Sequence, residues 1–324
     1  MPRPPAFWRH GTRSVWPALL APAAAIVAAV TARRVARPGW RAPVPVICCG
    51  NVTVGGAGKT TLALDLGRRL QARGVAVHFL LRGYGGAARG VRRVATGDAA
   101  SVVGDEALLL AELAPTWVGA DRAASARAAV AAGAQVLVLD DGLQNPTLAK
   151  DLSLLVVDGA TGFGNGRVLP AGPLREPVAK GAARCRAAVL IGADATGAMA
   201  RLPPALPVLR ARLQPGPEIA ALVGCRVLAF AGLALPGKFF AGLEQAGVEV
   251  VARRPFPDHH PYSETELRAL LAEAARLHAV AVTTPKDAVR LEGAAREKLR
   301  VVGVSLVWED PAAIELALNE VVPG

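Results

Sequence analysis

Short apolar runs without polar alternation recur from residue 44 onward, and helix-length polar stretches separate them. A strand with alternating polarity has one solvated face, whereas an uninterrupted apolar strand is buried on both faces. The first series of such strands is predicted at residues 44–49, 75–81, 135–139, 152–157 and 187–191. Helices are expected between them at residues 60–72, 105–113 and 122–132. This order predicts a mostly parallel sheet covered by helices.

A second series of strands and helices follows a proline-rich segment at residues 195–217, which is expected to be irregular and to mark a domain boundary. Its strands are predicted at residues 226–230, 248–251, 280–284 and 301–307. Its clearest helix is predicted at residues 263–278, because Ser263 and Glu266 have the spacing of a capping box. The chain is therefore expected to carry a second, smaller α/β domain.

Composition narrows the class of protein. With 324 residues, of which 52% are hydrophobic and 19% charged, the chain is long enough for about two domains and too apolar to be disordered. The four cysteines have no C-x-x-C spacing, which argues against a disulfide scaffold or a structural zinc site.

The strongest chemical signal is the glycine-rich segment at residues 50–61, which follows a predicted strand and opens a predicted helix. Such a loop turns backbone N–H groups and a helix N-terminus toward phosphate oxygens. Its first pattern position holds Thr53 instead of glycine, and a purely structural turn is the alternative. We predict nucleotide binding by Thr53, Val54, Gly55, Gly56, Ala57, Gly58, Lys59 and Thr60.

Two acids follow the apolar strand that ends near residue 139, where ligands of open α/β sheets collect. Together with the Thr60 hydroxyl, Asp140 and Asp141 are predicted to hold Mg²⁺. A simple turn would explain one of these acids, but not both. The chain has no N-K-x-D tetrapeptide for guanine, so ATP is favoured over GTP.

The first 41 residues contain seven arginines and no acid, and they supply +7 of the formal net charge of +11. The apolar stretch at residues 15–30 is short for a transmembrane span and holds Pro17 and Pro22. A cleaved signal peptide conflicts with the cytosolic ATP that the following loop needs, and no nucleic-acid-binding signature accompanies the arginines. A core helix with solvated ends is one alternative. We favour an interfacial helix, because arginines and tryptophans flank it.

Several motifs together resemble the tetraacyldisaccharide 4′-kinase family of lipid A biosynthesis. They occur in the family's order, at NVTVGG (51–56, continuing to Thr60), RGYG (82–85), GDE (104–106), DDGLQ (140–144), LPAGPLRE (169–176), FPDHH (256–260, with Tyr262) and TTPKD (283–287). The chain departs from the family's pattern at Thr61, Leu81 and Pro285, which leaves every expected phosphate, metal and base ligand in place.

The resemblance implies transfer of the γ-phosphoryl group of ATP to the 4′-hydroxyl of tetraacyldisaccharide 1-phosphate, with Mg²⁺. It implies that Asp105 and His259 take the hydroxyl proton and that Glu176 joins the metal ligands. It further implies substrate contacts from Asn51, Arg82, Tyr84, Glu106 and Arg175.

The expected fold is a P-loop NTPase-like α/β sheet with a second α/β domain and an N-terminal amphipathic helix. The predicted divisions are a membrane-associating arm at residues 1–40, a kinase domain at 41–215 and a smaller domain at 216–324. The resemblance places the protein peripherally on the cytoplasmic face of the bacterial inner membrane, with no nucleic-acid partner. A regulatory ATPase that acts on a protein partner and a non-catalytic binding protein are the alternatives.

Overall fold

The computed structural model describes residues 4–291 and 294–322. The strands in this part of the chain are β1 (Val46–Gly50), β2 (Val77–Leu81), β3 (Arg92–Arg93), β4 (Thr116–Val118), β5 (Val136–Asp140), β6 (Leu152–Asp158), β7 (Ala187–Ile191), β8 (Val208–Pro215), β9 (Arg226–Ala231), β10 (Glu249–Pro255), β11 (Val280–Thr283), β12 (Arg300–Val301) and β13 (Val304–Trp308). The α-helices are α1 (Trp16–Leu19), α2 (Ala21–Val35), α3 (Lys59–Ala72), α4 (Ala100–Val103), α5 (Asp105–Ala111), α6 (Arg122–Ala131), α7 (Val178–Ala182), α8 (Pro236–Gln245), α9 (Glu264–Arg276), α10 (Pro285–Ala288), α11 (Ala294–Glu297) and α12 (Pro311–Asn319).

The larger sheet has nine strands in the order β13-β8-β7-β6-β1-β5-β2-β4-β3. Its strands run parallel from β8 to β4, and β3 and β13 pair antiparallel at the two edges. The central strand β1 lies between β5 and β6, with Ile47 opposite Val138 and Leu152. The glycine-rich loop follows β1 and therefore lies at the middle of the sheet's carboxyl edge.

Apolar side chains fill both faces of the larger sheet, as the uninterrupted apolar runs predict. Helices α3, α5 and α12 cover one face with Leu62, Leu110 and Ile314. Helices α2, α6 and α7 cover the other face with side chains that include Ala126 and Val178. The predicted α/β class with a mostly parallel, helix-covered sheet is confirmed.

The smaller sheet is parallel throughout, in the order β10-β9-β11-β12. Helix α8 packs Phe240 and Leu243 on one face, and α9 packs Leu267 and Leu270 on the other. Ser263 caps α9 and forms the predicted capping box with Glu266.

The chain returns to the larger sheet at its C-terminal end. The single strand predicted at residues 301–307 is wrong, because Arg300–Val301 joins the smaller sheet and Val304–Trp308 pairs with β8. The segment at 195–217 is not irregular throughout, since Val208–Pro215 forms β8. Its exposed polar residues hid this strand from the apolar pattern. Trp308 Nε1 then donates to Asp65 Oδ2 at 2.9 Å, which fastens the returning chain to α3.

The N-terminal arm packs along the larger domain through one side of α2. Its prolines begin helices and do not interrupt them, since Pro17 and Pro22 each lie in a first helical turn. Ala24 and Thr31 are buried, and Leu20 and Val27 contact the core. Trp16 and Leu19 of α1 and Ile26 and Val30 of α2 are exposed. Among the described residues, no helix has both the length and the hydropathy for a membrane span.

Helix α12 offers a matched test of the C-terminal return. Ile314 is fully buried against the larger sheet, whereas Leu316 on the same helix is 66% exposed. We expect Ile314→Ala to lower the free energy of unfolding by about 2–5 kcal/mol, because it leaves a cavity in the core. Leu316→Ala is expected to change it by less than about 0.5 kcal/mol. Chemical denaturation measures both, and equal effects would contradict the packing of α12.

Candidate active site

The glycine-rich loop spans residues 51–58 between β1 and α3, and two of its glycines adopt backbone angles that other residues avoid. Gly55 has φ of 111° and Gly58 has φ of 89°, and a Cβ on Gly58 would lie 2.7 Å from Ile191 Cδ1. A Cβ on Gly55 or Gly56 would meet no atom within 4 Å, so this side of the loop is open. The open side leaves room for phosphate oxygens.

A second backbone segment, residues 173–175, forms hydrogen bonds with the loop. Val54 N donates to Pro173 O at 2.8 Å, and Arg175 N donates to Val52 O at 2.7 Å. These bonds place Arg175 beside the start of α3. The long loop at residues 159–177 therefore supports the candidate phosphate site directly.

Asp140, the last residue of β5, and Asp141, which follows it, lie in opposite electrostatic environments. Asp140 is buried and accepts from Thr60 Oγ1 at 2.7 Å, and burial raises its pKa to about 6. Asp141 has φ of 59° and forms a two-pronged ion pair with Arg175 at 2.6 and 2.9 Å. Burial opposes the ionisation of Asp141, but Lys59, 3.8 Å away, and Arg175 outweigh it and lower its pKa.

These acids fit a magnesium ion. Asp140 Oδ1 is buried and has no hydrogen-bond partner in the part of the chain that the structure describes. A buried acceptor without a partner costs about 1–3 kcal/mol, which a bound cation would recover. A hydroxyl and a carboxylate beside a phosphate loop are hard oxygen ligands of the kind that Mg²⁺ prefers.

Asp105 and His259 meet although 154 residues separate them. Asp105 begins α5 directly after Gly104, which has φ of 88° and which a Cβ would drive to 2.5 Å from Tyr84 O. His259 follows β10 and has φ of 60°. Its Nδ1 lies 2.7 Å from Asp105 Oδ2, so the hydrogen bond joins the larger sheet's domain to the smaller one.

Two cationic residues, Arg290 and Lys286, contact this pair, and the sequence analysis assigned neither of them a role. Arg290 pairs with both Asp105 and Asp287, and Asp287 also accepts from Tyr262 at 3.0 Å. Burial opposes the ionisation of Asp105, but the hydrogen bonds from His259 and Arg290 outweigh it and lower its pKa to about 2. Asp105 is therefore a carboxylate at neutral pH.

Lys286 lies on the other side of the imidazole. Its Nζ is 3.5 Å from His259 Nε2, 3.1 Å from Asp258 and 3.3 Å from Glu106. Asp105, Glu106 and His259 have ligand atoms within 4.8 Å of one another, and Lys286 supplies a positive charge there. The motif at 283–287 was the sequence signal that could have identified Lys286. The residues that Lys286 contacts, however, lie far from this motif in the sequence.

Comparison with known proteins identifies the family. The family model described as tetraacyldisaccharide-1-P 4′-kinase matches residues 16–323. The chain belongs to this family. Proteins named tetraacyldisaccharide 4′-kinase from Gluconacetobacter diazotrophicus and Rhodospirillum centenum are 60% and 56% identical to it. The first comparison covers 97% of each chain, and the second covers 99% of this chain and 97% of the relative.

A solved structure agrees with this assignment. The crystal structure of LpxK from Aquifex aeolicus in complex with ATP superposes with a TM-score of 0.75 at 25% identity. The superposition covers 94% of this chain and 99% of the Aquifex chain. Membership in the tetraacyldisaccharide 4′-kinase family makes the chain an ATP-dependent kinase of lipid A synthesis. The predicted family, enzyme class and use of ATP with Mg²⁺ are confirmed.

Two residues of this kinase that were predicted as ligands, Glu176 and Asn51, are buried. Glu176 is 2% exposed, and its oxygens accept from Arg184 at 2.7 and 2.8 Å. Gln144 links Glu176 to the backbone carbonyl of Asn51, at 2.8 and 2.9 Å. Asn51 is fully buried and donates to Thr53 Oγ1 at 3.1 Å. The predicted metal role of Glu176 and substrate role of Asn51 stay predictions, while the network fixes the loop's first residues.

The RGYG loop of this kinase faces the Asp105–His259 pair. Tyr84 is 53% exposed, and its ring centroid lies 6.3 Å from that of His259. Arg82 is exposed. Its positive charge is one of the influences that lower the pKa of the nearby Arg122. Both side chains are therefore available for a substrate that approaches the pair, and their predicted substrate roles stay predictions.

The pKa of Asp140 is raised and that of Asp141 is lowered, so the two acids should affect stability in opposite ways as the pH changes. The test is made in the absence of nucleotide and Mg²⁺. The folded-state pKa of Asp140 exceeds its ordinary 3.8, so ionisation removes stability as pH rises from about 4 to about 6. We expect Asp140→Asn to raise the free energy of unfolding at pH 7.5 by up to roughly 3 kcal/mol, with little effect near pH 4.

Asp141→Asn is the matched control, because the pKa of Asp141 is lowered and its charge stabilises the fold above pH 4. We expect this variant to melt at a lower temperature at pH 7.5. Thermal melts at both pH values, with a chelator present, measure the two effects. The same sign for both variants would contradict the electrostatic assignment.

Proposed function

We propose that this kinase carries out its reaction with the Asp105–His259 pair as the proton acceptor, close to the loop that ends in Lys59. The hydrogen bond of 2.7 Å between His259 Nδ1 and Asp105 Oδ2 carries this proposal. In the reaction, the 4′-oxygen of the lipid disaccharide bonds to the γ-phosphorus of ATP. The bond from that phosphorus to the bridging oxygen breaks, ADP leaves, and the hydroxyl proton passes to the enzyme.

The division of the proton-transfer role follows from the ionisation of Asp105. A carboxylate with a pKa of about 2 is a weak base at neutral pH, whereas a neutral imidazole nitrogen can accept a proton. Asp105 holds the Nδ1–H tautomer of His259 and leaves Nε2 to accept the proton. Arg290 and Lys286 position the two groups, and Lys286 also offers a positive charge near the reacting oxygens.

At the other end of the site, the backbone of residues 53–58 and Lys59 bind the phosphates of ATP. Thr60, Asp140 and Asp141 would hold Mg²⁺, which supplies charge neutralisation on the phosphate oxygens. Arg175 is held by Asp141 and by Gln144 Oε1 at 3.3 Å, so it is oriented toward the same region. We assign the acceptor's sugar and phosphate to Arg82, Tyr84, Glu106 and Arg175.

Two domains enclose this site in our proposal. The division follows the predicted bounds, an arm at residues 1–40, a kinase domain at 41–215 and a smaller domain at 216–324, except that the last described strand and helix join the kinase domain. The last strand and helix, β13 and α12, return to the kinase domain's sheet. Lys238 of the smaller domain also pairs with Asp158 at the end of β6, at 2.7 Å. Such contacts support closure that excludes water from the reaction.

We assign the protein to the cytoplasmic face of the bacterial inner membrane as a peripheral protein. The exposed side of the arm presents Trp16, Leu19, Ile26 and Val30, which we call the apolar stripe. Apolar residues flanked by arginine and tryptophan suit an interfacial helix, and the acyl chains of the acceptor remain in the same bilayer.

Substitution of the pair tests the chemistry. We expect Asp105→Asn and His259→Asn to lower kcat for phosphorylation of the lipid disaccharide by roughly 10²–10⁴-fold, with ATP affinity within a few-fold of wild type. The measurement is lipid phosphorylation with saturating ATP and Mg²⁺, together with a separate ATP-binding titration.

His260→Asn is the matched control, because His260 pairs with Glu266 at 3.0 Å and packs on Phe256, away from Asp105. It should keep a kcat near that of wild type. If His259→Asn also kept kcat near that of wild type, the proposed role of the pair would be wrong.

Substitution of the stripe tests the membrane assignment. We expect Leu19→Ser, Ile26→Ser and Val30→Ser together to weaken vesicle partitioning at least tenfold, because each apolar side chain contributes roughly 1.5–3 kcal/mol when buried. The control replaces Val223, Leu235 and Leu316, which are exposed elsewhere at 56%, 48% and 66%. Co-sedimentation with vesicles measures binding, and equal losses in both triple variants would contradict the stripe's role.

A further inference from the structure

A basic cavity lies outside the site described above, at the point where the N-terminal arm meets the loop that follows β6. Its volume is about 660 Å³, and its lining includes His10, Arg13, Arg167 and Arg201. Thr12 and Ser14 add hydroxyl groups to the wall. Within the described part of the chain, no acidic residue lines the cavity, so its lining is entirely basic or neutral.

The cavity has fixed walls. Asn165 Nδ2 donates to Phe7 O at 2.8 Å and to Ala171 O at 2.9 Å, and Asn165 N donates to Trp8 O at 2.8 Å. Trp8 Nε1 donates in turn to Pro170 O at 3.1 Å. These bonds tie the N-terminal segment to the loop and hold the arginines of both segments around one space.

The arginines of the cavity have no protein counter-ion. Within the described residues, no carboxylate lies within 4.0 Å of the guanidinium groups of Arg13, Arg167 or Arg201, whereas many other arginines of the chain form ion pairs. Arg201 packs beside the Phe163 ring, 5.9 Å from its centroid, and approaches Gly166 O at 3.5 Å. Arg13, Arg167 and Arg201 all line the cavity, and guanidinium groups match the several oxygens of a phosphate group.

The position of the cavity selects the kind of phosphate. Ser14 and Pro17 of its wall lie two residues before and one residue after Trp16, where the apolar stripe begins. A group bound there would sit at headgroup depth while the stripe contacts acyl chains. We propose that this cavity binds the phosphodiester headgroup of an anionic phospholipid. The inference rests on the membrane association proposed above and adds a specific lipid-binding site to it.

The first experiment needs no bilayer. Dihexanoyl phosphatidylglycerol, kept below its micelle concentration, is titrated into the full-length protein by calorimetry. We expect saturable binding to wild type, and at least tenfold weaker binding to Arg167→Gln combined with Arg201→Gln. The control combines Arg212→Gln with Arg276→Gln, which removes the same charge from exposed arginines elsewhere and should bind like wild type.

Parallel titrations distinguish the source of the phosphate. If inorganic phosphate bound as tightly as the short-chain lipid, the cavity would be a free-anion site and the lipid assignment would be overturned. If the tetraacyldisaccharide acceptor displaced the short-chain lipid, the cavity would belong to the substrate instead. Absence of binding by wild type, or equal losses in both double variants, would also overturn the proposal.

A second experiment uses vesicles of phosphatidylcholine with and without phosphatidylglycerol. We expect phosphatidylglycerol to strengthen wild-type binding, and the Arg167 and Arg201 double variant to lose that gain while keeping the stripe-dependent binding to phosphatidylcholine. If the wild type bound neither vesicle but still bound the short-chain lipid, the membrane proposal would fail and the lipid site would stand.

Discussion

The ionisation of Asp105 is the constraint on which the candidate active site depends. This carboxylate begins a helix of the larger domain, and its partners Arg290 and His259 both belong to the smaller domain. A buried charge persists only when such partners repay its desolvation, and here two of them do so. The geometry that orients the imidazole is therefore also the geometry that joins the domains. Removal of either partner would disturb both at once.

At the phosphate loop, the same balance between burial and charge shifts the pKa values of two neighbouring carboxylates in opposite directions. Among the described residues, Asp140 faces Thr60 with one oxygen and has no partner for the other, so it carries an electrostatic cost that a bound cation would relieve. Asp141 is already compensated by Arg175 and Lys59. The backbone segment that carries Arg175 also braces the loop, which couples phosphate binding to the support behind it.

The N-terminal arm has apolar residues that contact the core and other apolar residues that are exposed. One side of α2 packs on the core, whereas the apolar stripe, which runs from α1 onto α2, is exposed. A helix with apolar residues on both sides is costly to leave in water, and this accounts for the arginines and tryptophans that border it. The basic cavity lies at the beginning of this stripe, so positive charge and apolar surface are adjacent.

The sequence by itself determined those features that depend on neighbours along the chain. Apolar runs defined β1, β5 and β6, glycine spacing defined the phosphate loop, and motif order indicated the family, because each signal is complete within a few residues. Only the tertiary structure decided that β13 returns to β8 and that Arg290 reaches Asp105 from 185 residues away. These contacts depend on how the sheets close on one another, and no local pattern encodes a partner brought near by folding alone.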